Sequence, residues 1–278
     1  MSIVNYNEFR VSQVDENNIV LLDEHKINAV ADFMQSNEFS FLSLKTDNID
    51  KSSFDLLMRY QFIDKLIIRV DDEKFDFSFL SHLNHLKELR INGSHKHIID
   101  FSTLIELERL TIDWKKGYES IFNLPKLKEL NLTGYKGKDL IDFSKLEKLE
   151  RLILNKGAIT SFKGLEMLTK LRVLKAFYLR NLNNVGFLPS SVECLDLTNC
   201  PKITNLLGVE KLVKLEELWI ENCKDIESLK LIEKLIHLDR IDLMGNTKII
   251  DGDMKPLVGK KEVRFIEYKH YSHKEDEI

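Results

Sequence analysis

Eight histidines and three cysteines carry the widest chemical range in this 278-residue chain, and their spacing decides what they can do. His82 and His85 are three residues apart, His95 and His97 follow in a polar stretch, and His270 and His273 lie near the C-terminus. A metal site needs three or four ligands converging on one point, with further groups orienting them. Pairs scattered this widely predict solvated histidines and no bound metal. Cys194, Cys200 and Cys223 cannot complete a disulfide framework in so long a chain, which predicts reduced thiols and a cytoplasmic location. Gly134-Tyr-Lys-Gly137-Lys has neither the spacing nor the Ser/Thr of a phosphate loop, and G-x-S-x-G, H-E-x-x-H and G-x-G-x-x-G are all missing. No catalytic residue and no cofactor is expected, so the sequence predicts a protein that is not an enzyme.

Bulk properties narrow the partners. With 41 basic and 45 acidic residues the net charge is -4, which excludes a polybasic binder of nucleic acid or of an anionic membrane. No apolar run approaches the ~18–20 residues of a membrane span, and Met1–Arg10 lacks the basic start and apolar stretch of a secretory signal. Glycine (11) and proline (4) are scarce, and no Ser/Gly/Pro-rich stretch could link independent halves. A single core stops growing at ~250–300 residues, so one continuous domain of this length is best built by repetition.

The repetition is visible in the leucines. The pattern L-x-x-L-x-L occurs as Leu86/Leu89/Ile91, Leu107/Leu110/Ile112, Leu127/Leu130/Leu132, Leu149/Leu152/Leu154 and Leu171/Leu174/Ala176. It continues as Val192/Leu195/Leu197, Leu215/Leu218/Ile220 and Leu238/Ile241/Leu243, with weaker copies at Phe39/Leu42/Leu44, Ile63/Leu66/Ile68 and Val263/Phe265. The last position falls at 44, 68, 91, 112, 132, 154, 176, 197, 220, 243 and 265, so every spacing lies between 20 and 24 residues. Ile19–Leu22 is a candidate for one further, degenerate rung. In each copy the last two apolar positions alternate, as one face of a short strand requires. The stretch before the strand, such as Phe162/Leu165/Leu168/Leu171, is apolar at every third residue, which fits a short helix or 3-10 turns with one face inward.

On these residues the chain resembles the leucine-rich repeat family, most of all the roughly 22-residue bacterial type of the internalins. The units Ile159-Thr-Ser-Phe162-Lys-Gly-Leu165-Glu-Met-Leu168-Thr-Lys-Leu171-Arg-Val-Leu174 and Ile203-Thr-Asn-Leu206-Leu-Gly-Val209-Glu-Lys-Leu212-Val-Lys-Leu215-Glu-Glu-Leu218 carry the likeness, which covers about residues 39–268. It implies an α/β leucine-rich repeat solenoid: a horseshoe with a curved, parallel concave sheet and short helices or 3-10 turns on the convex side. Residues 1–38 are expected to form an N-terminal cap of a hairpin around Asp15-Glu-Asn-Asn18 and a helix through Ile27/Val30/Phe33/Met34. Residues 39–268 would be a solenoid of about eleven rungs, and 269–278 a polar tail that closes it. The resemblance also implies a structural loop ladder of Asn or Cys three residues beyond each strand, here Cys200, Cys223 and Asn246. Ser94, Lys115, Tyr135, Gly157 and Leu179 depart from it in the five preceding repeats, so their loops should be less regular.

The residues flanking the buried strand positions face outward and form a candidate binding face. Its bulky members are Phe177, Tyr178, Trp219 and Met244, with Trp114 alone earlier, and Cys194 lies on the same face. Up to rung 176 the outward charges are Lys45, Lys65, Arg69, Arg90, Arg109, Arg151 and Lys175 against Glu88, Asp113 and Glu129. From rung 197 onward they are Asp196, Glu217, Glu221, Asp242 and Glu262 against Arg240 and Arg264. An acidic face with an aromatic centre suits a basic protein surface and repels nucleic acid. The expected partner-binding residues are therefore Trp219, Phe177, Tyr178, Asp196, Glu217, Glu221, Asp242 and Met244. The expected function is a non-catalytic protein-binding scaffold, monomeric when unbound. The favoured role is an intracellular bacterial immunity protein or inhibitor masking a basic toxin enzyme, by analogy with ribonuclease inhibitor. The alternatives are a signalling or virulence adaptor and a regulatory subunit of an enzyme.

Overall fold

A run that is apolar at every third residue can bury one face only if the chain makes three residues per turn, and the backbone does so. The computed structural model describes residues 2–6, 9–14, 17–23, 26–49 and 54–278. In the repeat around Phe162, the N–H groups of Leu165, Leu168 and Leu171 donate to the carbonyls of Phe162, Leu165 and Leu168 at 2.9–3.0 Å, and all four side chains are fully buried. The same i to i-3 chain recurs at Leu140/Phe143/Leu146/Leu149, Leu206/Val209/Leu212/Leu215 and Leu229/Ile232/Leu235/Leu238. Each run delivers the chain to a strand whose second and fourth residues point inward. This is the expected leucine-rich repeat fold, with 3-10 turns on the side opposite the strands.

The chain divides into two compact units, Met1–Leu127 and Lys128–Ile278. In the first unit β1 (Ser2–Tyr6), β2 (Phe9–Val14) and β3 (Asn17–Leu21) pair antiparallel in sequence order. Residues 15 and 16 of the anticipated hairpin turn lie outside the described residues. Helix α1 (Ile27–Ser36) buries Ile27, Val30, Ala31 and Met34, while Phe33 stacks on Phe9 with ring centroids 4.4 Å apart. β4 (Phe41–Lys45) then pairs parallel to β3, which matches Ile19 to Phe41 and makes the degenerate first rung part of the repeat ladder. After the short helix α2 (Phe54–Leu57), β5 (Lys65–Arg69), β6 (Glu88–Asn92) and β7 (Arg109–Asp113) continue it in parallel.

One histidine expected in water lies inside this unit. His95 is 4% exposed and packed between Phe77 (4.5 Å between centroids) and Tyr118 (6.3 Å). Its Nδ1 lies 3.0 Å from the His97 carbonyl, which can only accept, so Nδ1 carries the proton and Nε2 accepts from the Tyr118 hydroxyl at 3.2 Å. The sequence points at Ser94 as the ladder position, but the irregular loop turns the next residue inward. His82, His85 and His97 are exposed.

The second unit contains β8 (Glu129–Tyr135), β9 (Arg151–Gly157), β10 (Val173–Phe177), β11 (Cys194–Thr198), β12 (Glu217–Glu221), β13 (Asp225–Ile226), β14 (Arg240–Leu243), β15 (Lys248–Ile249) and β16 (Glu262–Phe265). β8 through β12, β14 and β16 pair in parallel, each to the next, and β13 pairs with β15 in a small second sheet. At every rung anticipated from the leucine spacing, in either unit, there is a strand.

Leaving the strand, each repeat must satisfy a carbonyl of the strand behind it. Cys200 Sγ donates to the Ala176 carbonyl at 3.5 Å and Cys223 Sγ to that of Leu197 at 3.1 Å. In the next repeat the group in this place is Thr247, whose Oγ1 donates to the Ile220 carbonyl at 2.8 Å and accepts from Cys223 N–H at 3.3 Å. Asn246, the residue expected there, is exposed and bonds only the preceding loop, its Oδ1 accepting from Lys224 N–H at 3.4 Å, because the loop after β14 is one residue longer than its spacing implies. The cysteines are free thiols, and the Cys223 thiol together with burial pushes the Cys200 thiol far above its ordinary range.

The C-terminal residues close the last repeat by imitating a strand with side chains. Ile249 N–H donates to Tyr271 Oη at 2.8 Å, His270 Nε2 donates to the Ile249 carbonyl at 2.9 Å, and Phe265 N–H donates to Glu275 Oε2 at 3.3 Å. Groups at the end of the sheet that would otherwise invite another chain are thereby occupied.

Two outcomes follow for stability. Thr247→Val keeps the shape but strips the Ile220 carbonyl and the Cys223 N–H of a partner, and should lower the unfolding free energy in urea by about 1–3 kcal/mol. Burial, followed by the nearby Lys115 charge, pushes His95 from 6.5 down to about 4. The unfolded chain therefore takes up this proton first, and the His95 contribution is lost as pH falls from 6.5 toward 4. The urea midpoint should drop across that window, and His95→Gln, which keeps an acceptor for Tyr118, should flatten the dependence.

Candidate functional site

Strand register builds the outward face of the second unit as columns. The middle column runs Lys175, Asp196, Trp219, Asp242, Arg264 across β10, β11, β12, β14 and β16. One column to its side runs Val173, Cys194, Glu217, Arg240, Glu262, and the other holds Phe177, Thr198 and Glu221. Adjacent strands are ~4.8 Å apart, so column neighbours are within side-chain reach although they are some twenty residues apart in sequence.

The charges on this face are paired with one another. Lys175 Nζ is 3.7 Å from Asp196 Oδ2, and Thr198 Oγ1 donates to Asp196 Oδ1 at 2.7 Å. Arg240 bridges Glu217 at 2.6 Å and Glu262 at 3.6 Å, and Arg264 pairs with Asp242. Asp196 and Asp242 are 6% and 7% exposed, so their carboxylates lie at the bottom of the face. Burial raises the Asp196 pKa, with Thr198 and Lys175 acting against it. Asp196, Glu217 and Asp242 each have a cation, so the acidic residues counted on this face from the sequence are paired with the arginines counted beside them and with Lys175. Pairs across a column were legible in principle, since Lys175, Arg240 and Arg264 share columns with these acids, but only the exact register makes them neighbours.

Trp219 is half-buried at the centre. The Arg264 guanidinium lies 5.9 Å from its ring centroid, in cation–π range, while the same group holds Asp242. A pocket of about 510 Å³ opens beside the ring, lined by Trp219, Arg240, Ile241, Asp242, Arg264 and neighbouring β16 residues. Phe177 is half-buried on the next column, and Glu221 accepts from Asn222 Nδ2 at 3.3 Å. Met244 is half-buried one residue beyond β14. Cys194 is half-buried, and desolvation pushes its thiol up to about 11, so it is protonated near neutral pH. Trp114 belongs to the other unit, where its ring packs on Phe122 (5.6 Å) and Tyr118 (6.4 Å).

Tyr178 is 48% exposed and stands in the left-handed region at φ 57°. The same place after each neighbouring strand is also left-handed and holds Gly134, Lys156, Asn199, Asn222 and Gly245. Gly and Asn accept that conformation readily and tyrosine does not. Tyr178 therefore presents an exposed ring from a backbone conformation that costs a tyrosine energy.

Among the described residues, no three His, Cys, Asp or Glu side chains converge as metal ligands would, and no helix is long and apolar enough to cross a membrane.

The chain matches no protein-family model and no curated protein. Solved structures resemble it in fold. A leucine-rich repeat protein of Leptospira interrogans superposes with a TM-score of 0.60 at 19% identity, covering 76% of this chain and 55% of that one. The internalin InlF of Listeria monocytogenes gives 0.53 at 16% identity over 91% of this chain and 87% of its own. The functional domain of InlJ from the same species, described as including a cysteine ladder, gives 0.52 at 16% identity over 81% of this chain and 49% of that one. The chain thus spans about half the length of two of these three. At these identities the likeness establishes the leucine-rich repeat fold.

If Tyr178 is strained for the sake of its surface, Tyr178→Asn should raise the unfolding free energy by about 1 kcal/mol. Chemical denaturation measures this directly, and a loss of stability would show that the ring contributes more to the fold than its backbone costs.

Proposed function

We propose that the chain is a protein-binding scaffold and that the partner seats on the outward strand face of the second unit. The observation that carries this reading is Trp219, a half-buried aromatic beside a 510 Å³ pocket and surrounded by ion pairs already in place. Aromatic anchors ringed by polar groups are the usual energetic centre of a protein interface. Phe177, Tyr178 and Met244 extend the apolar part, and Asp196, Glu217 and Asp242 with their cations, together with Glu221, give it a polar surround. Because Lys175, Arg240 and Arg264 already hold the carboxylates, little side-chain ordering is left to be done on binding.

Within that class the favoured role is an intracellular bacterial inhibitor or immunity protein that covers the working surface of a toxin enzyme. A preordered face suits tight occlusion, and three free thiols suit a reducing compartment. A gene for such a toxin should lie beside that of this chain, and the purified protein should inhibit its product; the absence of both would favour an adaptor or regulatory subunit instead.

Binding kinetics with the captured partner test the face itself. Trp219→Ala should weaken the complex by about 2 kcal/mol, roughly thirtyfold, with the fold intact. Glu221→Lys should slow association with a basic partner, most at low salt. Arg69→Ala, on the strand face of the first unit, should change neither. Loss of binding in Arg69→Ala with Trp219→Ala unaffected would place the partner elsewhere.

A further inference from the structure

We infer that the second unit carries another docking surface, away from the strand face, that takes a narrow protein segment with an apolar row between carboxylates. Backbone hydrogen bonds fix the register where each turn feeds its strand: Glu216 N–H to Glu193 O at 2.8 Å, Asp239 N–H to Glu216 O at 3.1 Å and Lys261 N–H to Asp239 O at 3.0 Å. Three residues earlier in these repeats stand Val213, Ile236 and Val258, which are 56%, 80% and 52% exposed. The leucines just before them, Leu212, Leu235 and Leu257, are buried, so the three β-branched residues are not part of the core. In the two preceding repeats the same place is polar, with Thr169 and Ser190. Single exposed apolar residues are ordinary, whereas three in register form a row ~10 Å long.

Basic side chains border the row on both sides. Lys211 and Lys234 precede its first two members by two residues, and Lys214 and His237 follow them directly. All four are exposed, and among the described residues the three lysines hold no ion pair. Beyond the basic side chains lie carboxylates: Glu210 and Glu233 on one side, Glu216 and Asp239 on the other. Glu210 accepts from Gly208 N–H at 2.7 Å and Asp239 is held by Lys261. The order across the surface is acidic, basic, apolar, basic, acidic.

That order selects the occupant. A segment with leucine-like residues along one line and Glu or Asp on either flank meets apolar with apolar and carboxylate with lysine. An anionic membrane would also attract the lysines, but it extends past the row and meets the outer carboxylates, so a narrow segment is the better match. This surface stands independently of the strand-face reading.

A fluorescein-labelled synthetic helical peptide with leucines along one face and glutamates flanking them is the probe, read by anisotropy. The wild-type chain should bind it. Ile236→Ser and the double substitution Lys211→Glu/Lys234→Glu should each weaken binding at least tenfold, while Trp219→Ala leaves it unchanged. Lys211, Lys234 and Ile236 are exposed, and circular dichroism checks that all the variants are folded. No binding of the probe by the wild-type chain overturns the proposal, as does equal binding of a peptide with serine in place of leucine. Tighter binding to phosphatidylserine vesicles than to the peptide would assign the surface to lipid. A concentration-dependent dimer in sedimentation that Ile236→Ser abolishes would assign it to a second copy of the chain.

Discussion

Everything in this protein depends on the fact that a single repeat cannot bury its own leucines. Leu152 and Leu154, or Leu218 and Ile220, are completely inaccessible only because the same positions of the adjacent repeats close over them. The hydrophobic effect therefore acts between repeats rather than within one, and stability propagates along the stack. The same constraint fixes the turn side. A chain that returns to the next strand in some twenty residues, with an inward side chain at every third position, has to run as 3-10 turns.

Stacking leaves a second demand, since each rung also exposes backbone groups that the next rung must answer. Small side chains do much of this work. Asp139, Ser161, Asn184, Asn205, Ser228 and Asp251 each accept from the N–H two residues ahead and start the turn. Cys200, Cys223 and Thr247 donate to the carbonyl of the strand behind. A thiol and a hydroxyl are interchangeable here because both are short donors beside a buried carbonyl. Beyond β16, His270, Tyr271 and Glu275 supply from side chains what a strand would have supplied from its backbone.

The strand face inherits its electrostatics from this geometry. Parallel pairing in register puts like positions side by side, so a column of one sign would repel itself. Arg240 between Glu217 and Glu262, and Arg264 beside Asp242, relieve that repulsion and hold the surround of Trp219 in place. A surface organised in this way recognises shape and paired charge rather than bulk charge, which is why the formal excess of acidic residues overstates how negative it is. Along the turn edge the stacking produces a different surface, because the row through Val213, Ile236 and Val258 is bordered by lysines that hold no ion pair among the described residues.

The sequence by itself determined the repeat length, the rungs and the period-three turns, because alternation and every-third-residue spacing are local consequences of burying one face. It also determined that Trp219 is a surface aromatic, since Leu218 and Ile220 already occupy the inward positions on either side of it. Tertiary structure decided what depended on neighbours a repeat away. One added residue after β14 moved the ladder from Asn246 to Thr247, and an irregular loop turned His95 inward to Tyr118. The acids of the strand face found cations in adjoining rungs. These outcomes hinge on register at single-residue precision, and leucine spacings that vary between 20 and 24 residues cannot supply it. Hydrogen bonds and ion pairs act over a few ångströms, so a shift of one residue changes the partner while leaving the hydrophobic pattern intact.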